Sequence, residues 1–260
     1  MNSLEGQVSI ITGGGTGIGK ETALIFGREG ARIVLAGRRP GPLEEVAAQV
    51  NQAGGHAVIR ATDLEDGDAA AALGEWTVAE YGRVDILVNN AGHSSKGRSV
   101  RYVSEAEWQS VFKVNVEGVY RLTQACVNPM IEQGGGVVIT VSSYASIRPG
   151  LLGGAPYSAA KAASHNFMHH TNAELNAKGI RASTILPAEV DTPILNNRPL
   201  PPSEDARATM MMPEDIAQAI YLCAAMPART VVEEILLRPT QARDVSQDIK
   251  VAAEARSPEF

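Results

Sequence analysis

Tyr157 and Lys161 stand four residues apart in a segment with a helical pattern, so their side chains fall on one face and can reach a shared ligand. A phenol beside an ammonium suits proton transfer. Free tyrosine has a pKa of about 10, so only about one in a thousand is ionised at neutral pH. Lowering it by about three units asks for roughly 4 kcal/mol of extra stabilisation of the phenolate, which a nearby ammonium can supply in a partly dry site. This spacing alone more often reports packing and solvation. Its weight here comes from Ser143 upstream and from a glycine cluster near the start of the chain, Thr12, Gly13, Gly14, Gly15, Thr16, Gly17, Ile18, Gly19. Glycines let the backbone turn sharply and approach a pyrophosphate, and the helix expected next offers free N–H groups and the positive end of its dipole. With an apolar strand before it and a helix after it, the cluster predicts dinucleotide binding rather than a mere tight turn.

These residues need a frame. Seven short runs rich in valine and isoleucine, Val8 to Thr12, Arg32 to Ala36, Ala57 to Ala61, Val84 to Asn89, Val137 to Val141, Arg181 to Leu186 and Glu234 to Leu237, alternate with segments of helical length such as Gly17 to Glu29, Pro42 to Gln52 and Pro156 to Ala177. Strands apolar at consecutive positions belong in a parallel sheet covered on both faces. The alternation predicts an α/β fold, a single-domain doubly wound parallel sheet with right-handed crossovers and helices on both faces. Ser104 with Glu107 three residues on has the form of a capping box. One domain is expected over residues 1–240. Within it, prolines at 193, 199, 201 and 202 mark residues 191–212 as a long loop beside a strand end, a candidate substrate loop. Residues 241–260 are polar and charged and read as a tail, ordered only if a neighbouring subunit holds it.

Composition narrows the function. A net charge of -6 without a basic stripe excludes a nucleic-acid surface. Cys126 and Cys223 lack metal-type spacing and lie in apolar stretches, which predicts two buried thiols and a reducing, cytoplasmic setting. No apolar stretch approaches membrane-spanning length and no basic or cleavable leader precedes the first strand, so a soluble, unprocessed chain is expected. His165 and His169 share the i, i+4 spacing of some metal sites, but two histidines are too few and no acidic partner lies nearby in the chain, so no metal is expected. His93 and Tyr144 are either substrate contacts or plain loop residues, and Trp76 and Trp108 are packing residues on helices.

The glycine spacing T-G-x-x-x-G-x-G, followed in order by Asp63, by Asn89, Asn90, Ala91, Gly92, and by Asn115, Ser143, Tyr157 and Lys161, resembles the short-chain dehydrogenase/reductase family over roughly residues 4–240. The resemblance implies a Rossmann fold and hydride transfer between a nicotinamide and the carbon of a small-molecule ketone or secondary alcohol. Tyr157 is then the acid/base, with Ser143 holding the reacting oxygen. Lys161 would bind the nicotinamide ribose, and Asn115 would position a relay water below Lys161. Cofactor contacts are implied for Gly13, Gly15, Thr16, Gly17, Ile18 and Gly19 in the glycine loop, and for Asp63 and Leu64 at the adenine. They are also implied for Asn90, Ala91, Gly92, Pro187, Val190 and Thr192. Gly37 stands where an NAD-selective acid would repel a 2′-phosphate, and Arg38 and Arg39 follow it, which favours NADP(H) while leaving NAD(H) open.

Three departures stand out. Ser143 precedes Tyr157 by 14 residues, one more than is usual in the family, so Ser142 is held in reserve. Ala188 replaces a glycine in the Pro187 to Thr192 segment. The end of the chain is similar to the N-E-I-x-x-x-P-T ending of a branch that includes NADP-dependent hydroxy-acid dehydrogenases, which makes a 3-hydroxy acid or a general carbonyl compound the expected substrate. The resemblance also implies a homodimer or homotetramer. The competing reading is a catalytically idle NADP-binding sensor or structural subunit.

Overall fold

A computed structural model describes residues 3–260. Its strands are β1 (Val8–Thr12), β2 (Arg32–Gly37), β3 (His56–Ala61), β4 (Ile86–Asn89), β5 (Gly136–Val141), β6 (Ile180–Pro187) and β7 (Glu234–Leu237). Between and after them run helices α1 (Gly17–Arg28), α2 (Pro40–Gln52), α3 (Gly67–Tyr81), α4 (Glu105–Phe112), α5 (Gly118–Glu132), α6 (Ala155–Leu175), α7 (Glu204–Arg207), α8 (Pro213–Ala225) and α9 (Ser246–Glu254). The strands form one parallel sheet in the order β3-β2-β1-β4-β5-β6-β7. The chain reverses direction across the sheet between β1 and β4, and the strand ends on either side of that switch open a crevice, where such sheets bind ligands.

The strands are continuous apolar runs because both faces are covered. One face packs Ile11, Phe26, Leu35 and Ile220, and the other packs Leu87, Leu122, Met130 and Met168. Each such side chain contributes about 1.5–3 kcal/mol when fully buried. The fourth strand begins two residues later than expected. There the Asp85 carboxylate accepts from Val8 N at 2.8 Å and from Arg83, while the Asp85 backbone still donates to Val8 O and accepts from Val137 N at 2.8 Å each. Pro40 starts α2, since proline suits the first helical turn. α6 closes in a 3-10 turn, Asn176–Lys178, that ends on Gly179 at φ 84°.

Half of the expected capping box forms. Ser104 Oγ accepts from Glu107 N at 3.2 Å, but the Glu107 carboxylate turns away and accepts from Lys96 N and Gly97 N at 2.7 and 2.9 Å. The free-tail reading of residues 241–260 is corrected. The chain itself holds this segment, because α9 and the turns around it dock on the body. Arg243 joins Glu189 to Asp248, Ser104 N donates to Ser257 Oγ at 2.8 Å, and Arg101 Nη2 donates to Ala253 O at 3.2 Å. These contacts are polar, and all but that of Arg243 with Asp248 cross more than 50 residues of chain, so local composition does not reveal them. Among the described residues no helix is long and apolar enough to cross a membrane, and Cys126 and Cys223 are free and buried.

Candidate active site

The glycine loop leaves β1 at Thr12. Gly13 takes φ +65°, in the left-handed region that favours glycine, and a β-carbon on Gly19 would lie 2.3 Å from Gly13 O. Close packing of loop on helix therefore requires glycine at both positions. Thr12 Oγ1 ties the loop to the end of β4, accepting from Asn90 N and Ala91 N at 3.0 Å each and donating to Val88 O at 3.2 Å. Asn90 Nδ2 reaches back to Thr12 O at 2.9 Å. α1 begins after Thr16 without any side-chain cap, so its first N–H groups face the crevice.

A cleft of about 200 Å³ runs from this loop toward the tip of β2. Of the expected cofactor residues, Gly13, Gly15, Thr16, Arg38, Arg39, Asp63, Leu64, Ala91 and Gly92 line it. Ile18, Gly19, Asn90, Pro187 and Val190 do not. Ile18 and Val190 pack into the core, Asn90 is tied to backbone, and Pro187 ends β6 under its pairing with β7. Gly17 and Thr192 meet each other, since a β-carbon on Gly17 would lie 3.2 Å from Thr192 Cγ2. Gly37 has room for a side chain, with only Leu43 near at 3.7 Å. Sterics therefore do not demand glycine there, and its effect is to leave out a carboxylate. Arg38 is largely exposed, with Nη1 4.0 Å from Glu65 Oε1, a loose pair that leaves the guanidinium free to take an anion.

Tyr157 and Lys161 do not line the cleft but lie behind its Gly92 end: Lys161 is buried at 4% exposure, and its Nζ donates to Val141 O at 2.8 Å and stands 5.7 Å from the centre of the Tyr157 ring. Burial pushes the Lys161 ammonium down to about 8. Burial also pushes the Tyr157 phenol up. The Ser143 hydrogen bond and the charges of Arg98 and Arg198 work against that rise without cancelling it, so the phenol lies above its ordinary value. Burial is the larger effect, and the cations that oppose it are the two arginines, with Lys161 not among them. Ser143 Oγ accepts from Ala145 N at 3.1 Å. Ser142 is turned away and buried, its hydroxyl donating to Lys161 O at 2.9 Å.

Asn115 lies in a π-helical turn, Lys113–Glu117, between α4 and α5. Its amide donates to Val111 O at 2.8 Å and to His93 O at 2.9 Å, while its Oδ1 is buried without a partner. A β-carbon on Gly92 would lie 2.6 Å from that oxygen and 3.2 Å from Lys161 Nζ, so Gly92 leaves a small polar space between the two groups. A widened turn of this kind is frequent at functional sites. The open N–H groups of α1, the glycine cradle and the orphaned Asn115 oxygen fit a dinucleotide carrying a polar sugar.

Two sets of residues escaped the sequence reading. Arg98 is 4% exposed, and its Nη1 binds Gly153 O at 2.5 Å and Ser94 Oγ at 2.7 Å, while Ala155 N donates to Arg98 O at 2.9 Å. It thereby staples the segment that leads into Tyr157. Burial pushes its guanidinium down to about 10. The second set anchors the loop over residues 191–212. Glu189 accepts from Arg198 Nη1 at 2.7 Å and from Arg243, and Arg207 pairs with Asp191. Burial raises the Glu189 carboxyl, but its bonds to Arg243 and Arg198 outweigh burial and hold it below the usual range. His93 hydrogen-bonds Ser110 Oγ at 3.1 Å, and burial lowers its imidazole. Arg238 lies over the Tyr144 ring at 5.4 Å. The view that the α6 histidines lack an acidic partner is corrected, since Glu234 meets both His165 and His169.

Comparison with known proteins agrees with this geometry. Residues 7–201 match the family model described as short chain dehydrogenase. A 3-oxoacyl-[acyl-carrier-protein] reductase of Thermotoga maritima is 32% identical over 238 residues, which cover 90% of this chain and 96% of that protein. Among solved structures, a metagenomic short-chain oxidoreductase in complex with NADP superposes with a TM-score of 0.80 at 33% identity, covering 92% of this chain and 100% of that one. A 3-ketoacyl-(acyl-carrier-protein) reductase from Brucella melitensis complexed with NADH gives 0.81 at 28% identity, covering 91% and 98%.

Proposed function

The chain belongs to the short-chain dehydrogenase family of oxidoreductases, and from that premise we propose that it transfers hydride between NADP(H) and a ketone or secondary alcohol. The observation that carries the reading is the convergence of Ser143, Tyr157 and buried Lys161 behind Gly92, which lines the same cleft as the glycine loop and Arg38.

When bound, the nicotinamide supplies or accepts the hydride. The chain's residues handle the proton and the oxygen. In reduction Tyr157 gives its phenolic proton to the carbonyl oxygen as negative charge grows there, and Ser143 donates a hydrogen bond to the same oxygen. A phenol held above its ordinary pKa is protonated at neutral pH and ready to donate. In oxidation Tyr157 takes the alcohol proton, and Arg98 and Arg198 stabilise the phenolate. Lys161 holds the ribose and, through the polar space beside Gly92 and Asn115 Oδ1, can return the proton to solvent.

We assign the preference for NADP(H) over NAD(H) to Arg38 and Arg39 beside acid-free Gly37. The likeness of the Glu234 to Thr240 segment to the ending of hydroxy-acid dehydrogenases favours a 3-hydroxy acid among general carbonyl compounds as substrate. The enzyme is expected to act in the cytoplasm as a homodimer or homotetramer, which gel filtration checks.

The test is a fluorescence titration with NADPH and NADH, followed by a panel of carbonyl compounds read at the nicotinamide absorbance, with Tyr157→Phe as control. Turnover with NADPH that falls about 10²–10⁴-fold in Tyr157→Phe, while NADPH binding stays, is the expected result. NADPH binding without turnover across the panel would identify a cofactor-binding sensor or structural subunit instead.

A further inference from the structure

Away from the cleft, two turns of α6 and the first residue of β7 bring three donor atoms to one point. His165 Nε2 lies 2.8 Å from Glu234 Oε1, His169 Nε2 lies 2.7 Å from the same oxygen, and the two Nε2 atoms are 3.1 Å apart. These three are the only histidine, cysteine or carboxylate groups among the described residues that converge in this way. We propose that His165, His169 and Glu234 form a binding site for one divalent transition-metal ion of the Zn²⁺ class, with solvent completing its coordination.

Counting protons makes the first argument. The triangle has three short edges, but each Nε2 carries at most one hydrogen and the ionised carboxylate none, so hydrogen bonds can satisfy at most two of them. If both imidazoles donate to Glu234, two N–H groups crowd each other across 3.1 Å. If His169 donates to His165, a nitrogen lone pair faces the carboxylate across 2.8 Å. A cation at the centre resolves all three contacts, because each atom then points a lone pair at it.

Geometry makes the second. His165 and His169 occupy i and i+4, the spacing at which one helix face presents two imidazoles to a metal, and Glu234 comes from 65 residues further along the chain. Tetrahedral zinc with bonds of about 2.0–2.1 Å sets ligand atoms about 3.3 Å apart, so each atom must move outward by only a few tenths of an ångström. His169 and Glu234 have that freedom, with side chains 41% and 40% exposed, whereas His165 is anchored at 11%.

The third argument is the surrounding shell. Coordination through Nε2 places the His165 proton on Nδ1, which faces Ser146 Oγ at 3.5 Å, and Ser146 Oγ in turn donates to Ser143 O at 2.7 Å. Metal-bound histidines commonly donate their other ring nitrogen to an oxygen in this way. The ion would thus fasten the outermost strand of the sheet to the helix that carries Lys161 and to the turn after Ser143.

To test this, the full-length protein is stripped with chelator and titrated with Co²⁺ by visible absorption, then with Zn²⁺ by displacement and thermal melting. The expected result is one saturable Co²⁺ per chain with the intense bands of four- or five-coordination, displaced by Zn²⁺, which also raises Tm. Both His169→Ala and Glu234→Gln should bind at least tenfold more weakly and lose the Zn²⁺ shift while their metal-free Tm and circular dichroism match the parent. No saturable Co²⁺ uptake by the parent protein, or uptake unchanged in His169→Ala, overturns the proposal. These readouts need no substrate, so they stand apart from the test of the hydride-transfer reading.

Discussion

The two halves of the crevice are built from different materials. The half around the glycine loop is made of backbone and one uncharged hydroxyl, namely the φ +65° turn at Gly13, the contact of Gly19 with Gly13 O, and the Thr12 hydroxyl that pins Asn90 and Ala91. The loop over residues 189–207 and the segment 243–248 are held by charged side chains, Glu189 with Arg198 and Arg243, Arg243 with Asp248, and Asp191 with Arg207. A backbone cradle has nothing to titrate and changes only when its glycines change. A loop fastened by ion pairs can open locally, and its fastening depends on charge state. That division suits a protein that keeps one cofactor shape and adjusts the opening for its substrate.

The sharpest way to break the contrast is Arg243→Met, which leaves Glu189 and Asp248 partly buried without their shared cation. Losing one partner of such a network costs about 3–5 kcal/mol when it is fully buried. Amide exchange over residues 189–207 and 241–260 should therefore rise by a factor of about 100 or more, while exchange in β1 and α1 and the Kd for NADPH change little. Equal loosening of both halves would refute the division.

The reciprocal change, Gly13→Ala, forces an L-residue into left-handed backbone at roughly 1–2 kcal/mol and places its β-carbon 2.9 Å from Asn90 Nδ2. NADPH binding should weaken about tenfold or more by titration, with exchange over residues 189–207 and 241–260 unaffected. Gly37→Asp adds a carboxylate where space allows one, and the ratio of NADPH to NADH affinity should fall by about tenfold, the equivalent of roughly 1.4 kcal/mol. An unchanged ratio would remove Gly37 and Arg38 from the account of cofactor choice.

The smallest effect is the pH response. The bond to Arg243 holds the Asp248 carboxyl below its ordinary value, and Glu189 lies below its own although burial opposes the shift. Folded carboxyls with depressed pKa bind fewer protons than unfolded ones, so their stabilisation is complete above the ordinary range of about 4 and is lost as pH falls through the folded values. Exchange over residues 241–260 should quicken below that range ahead of exchange in the sheet. Loosening on the alkaline side instead would contradict the assignment.

The sheet was legible in the chain because both of its faces are covered. Consecutive apolar residues from Val8 to Thr12 or from Val137 to Val141 suit no other place, and the glycine loop, Tyr157 and Lys161 each declare themselves within one turn of backbone. The π-helical turn that leaves Asn115 Oδ1 without a partner was not legible, since nothing in Lys113 to Glu117 separates it from an ordinary helix. Ser142 and Ser143 differ only in the direction each hydroxyl takes after β5.

Order along the chain and local stereochemistry thus settled the fold class, the glycine turn after β1 and the spacing of the tyrosine and lysine, because strand pairing, tight turns and helix faces depend on neighbours a few residues away. Packing over long separations settled the rest. Arg98 meets Gly153 across 55 residues, Glu189 meets Arg243 across 54, and His165 meets Glu234 across 69. The sign of the Tyr157 shift depends on the same distances, because desolvation and Coulomb energy follow positions in space that residue types alone do not specify.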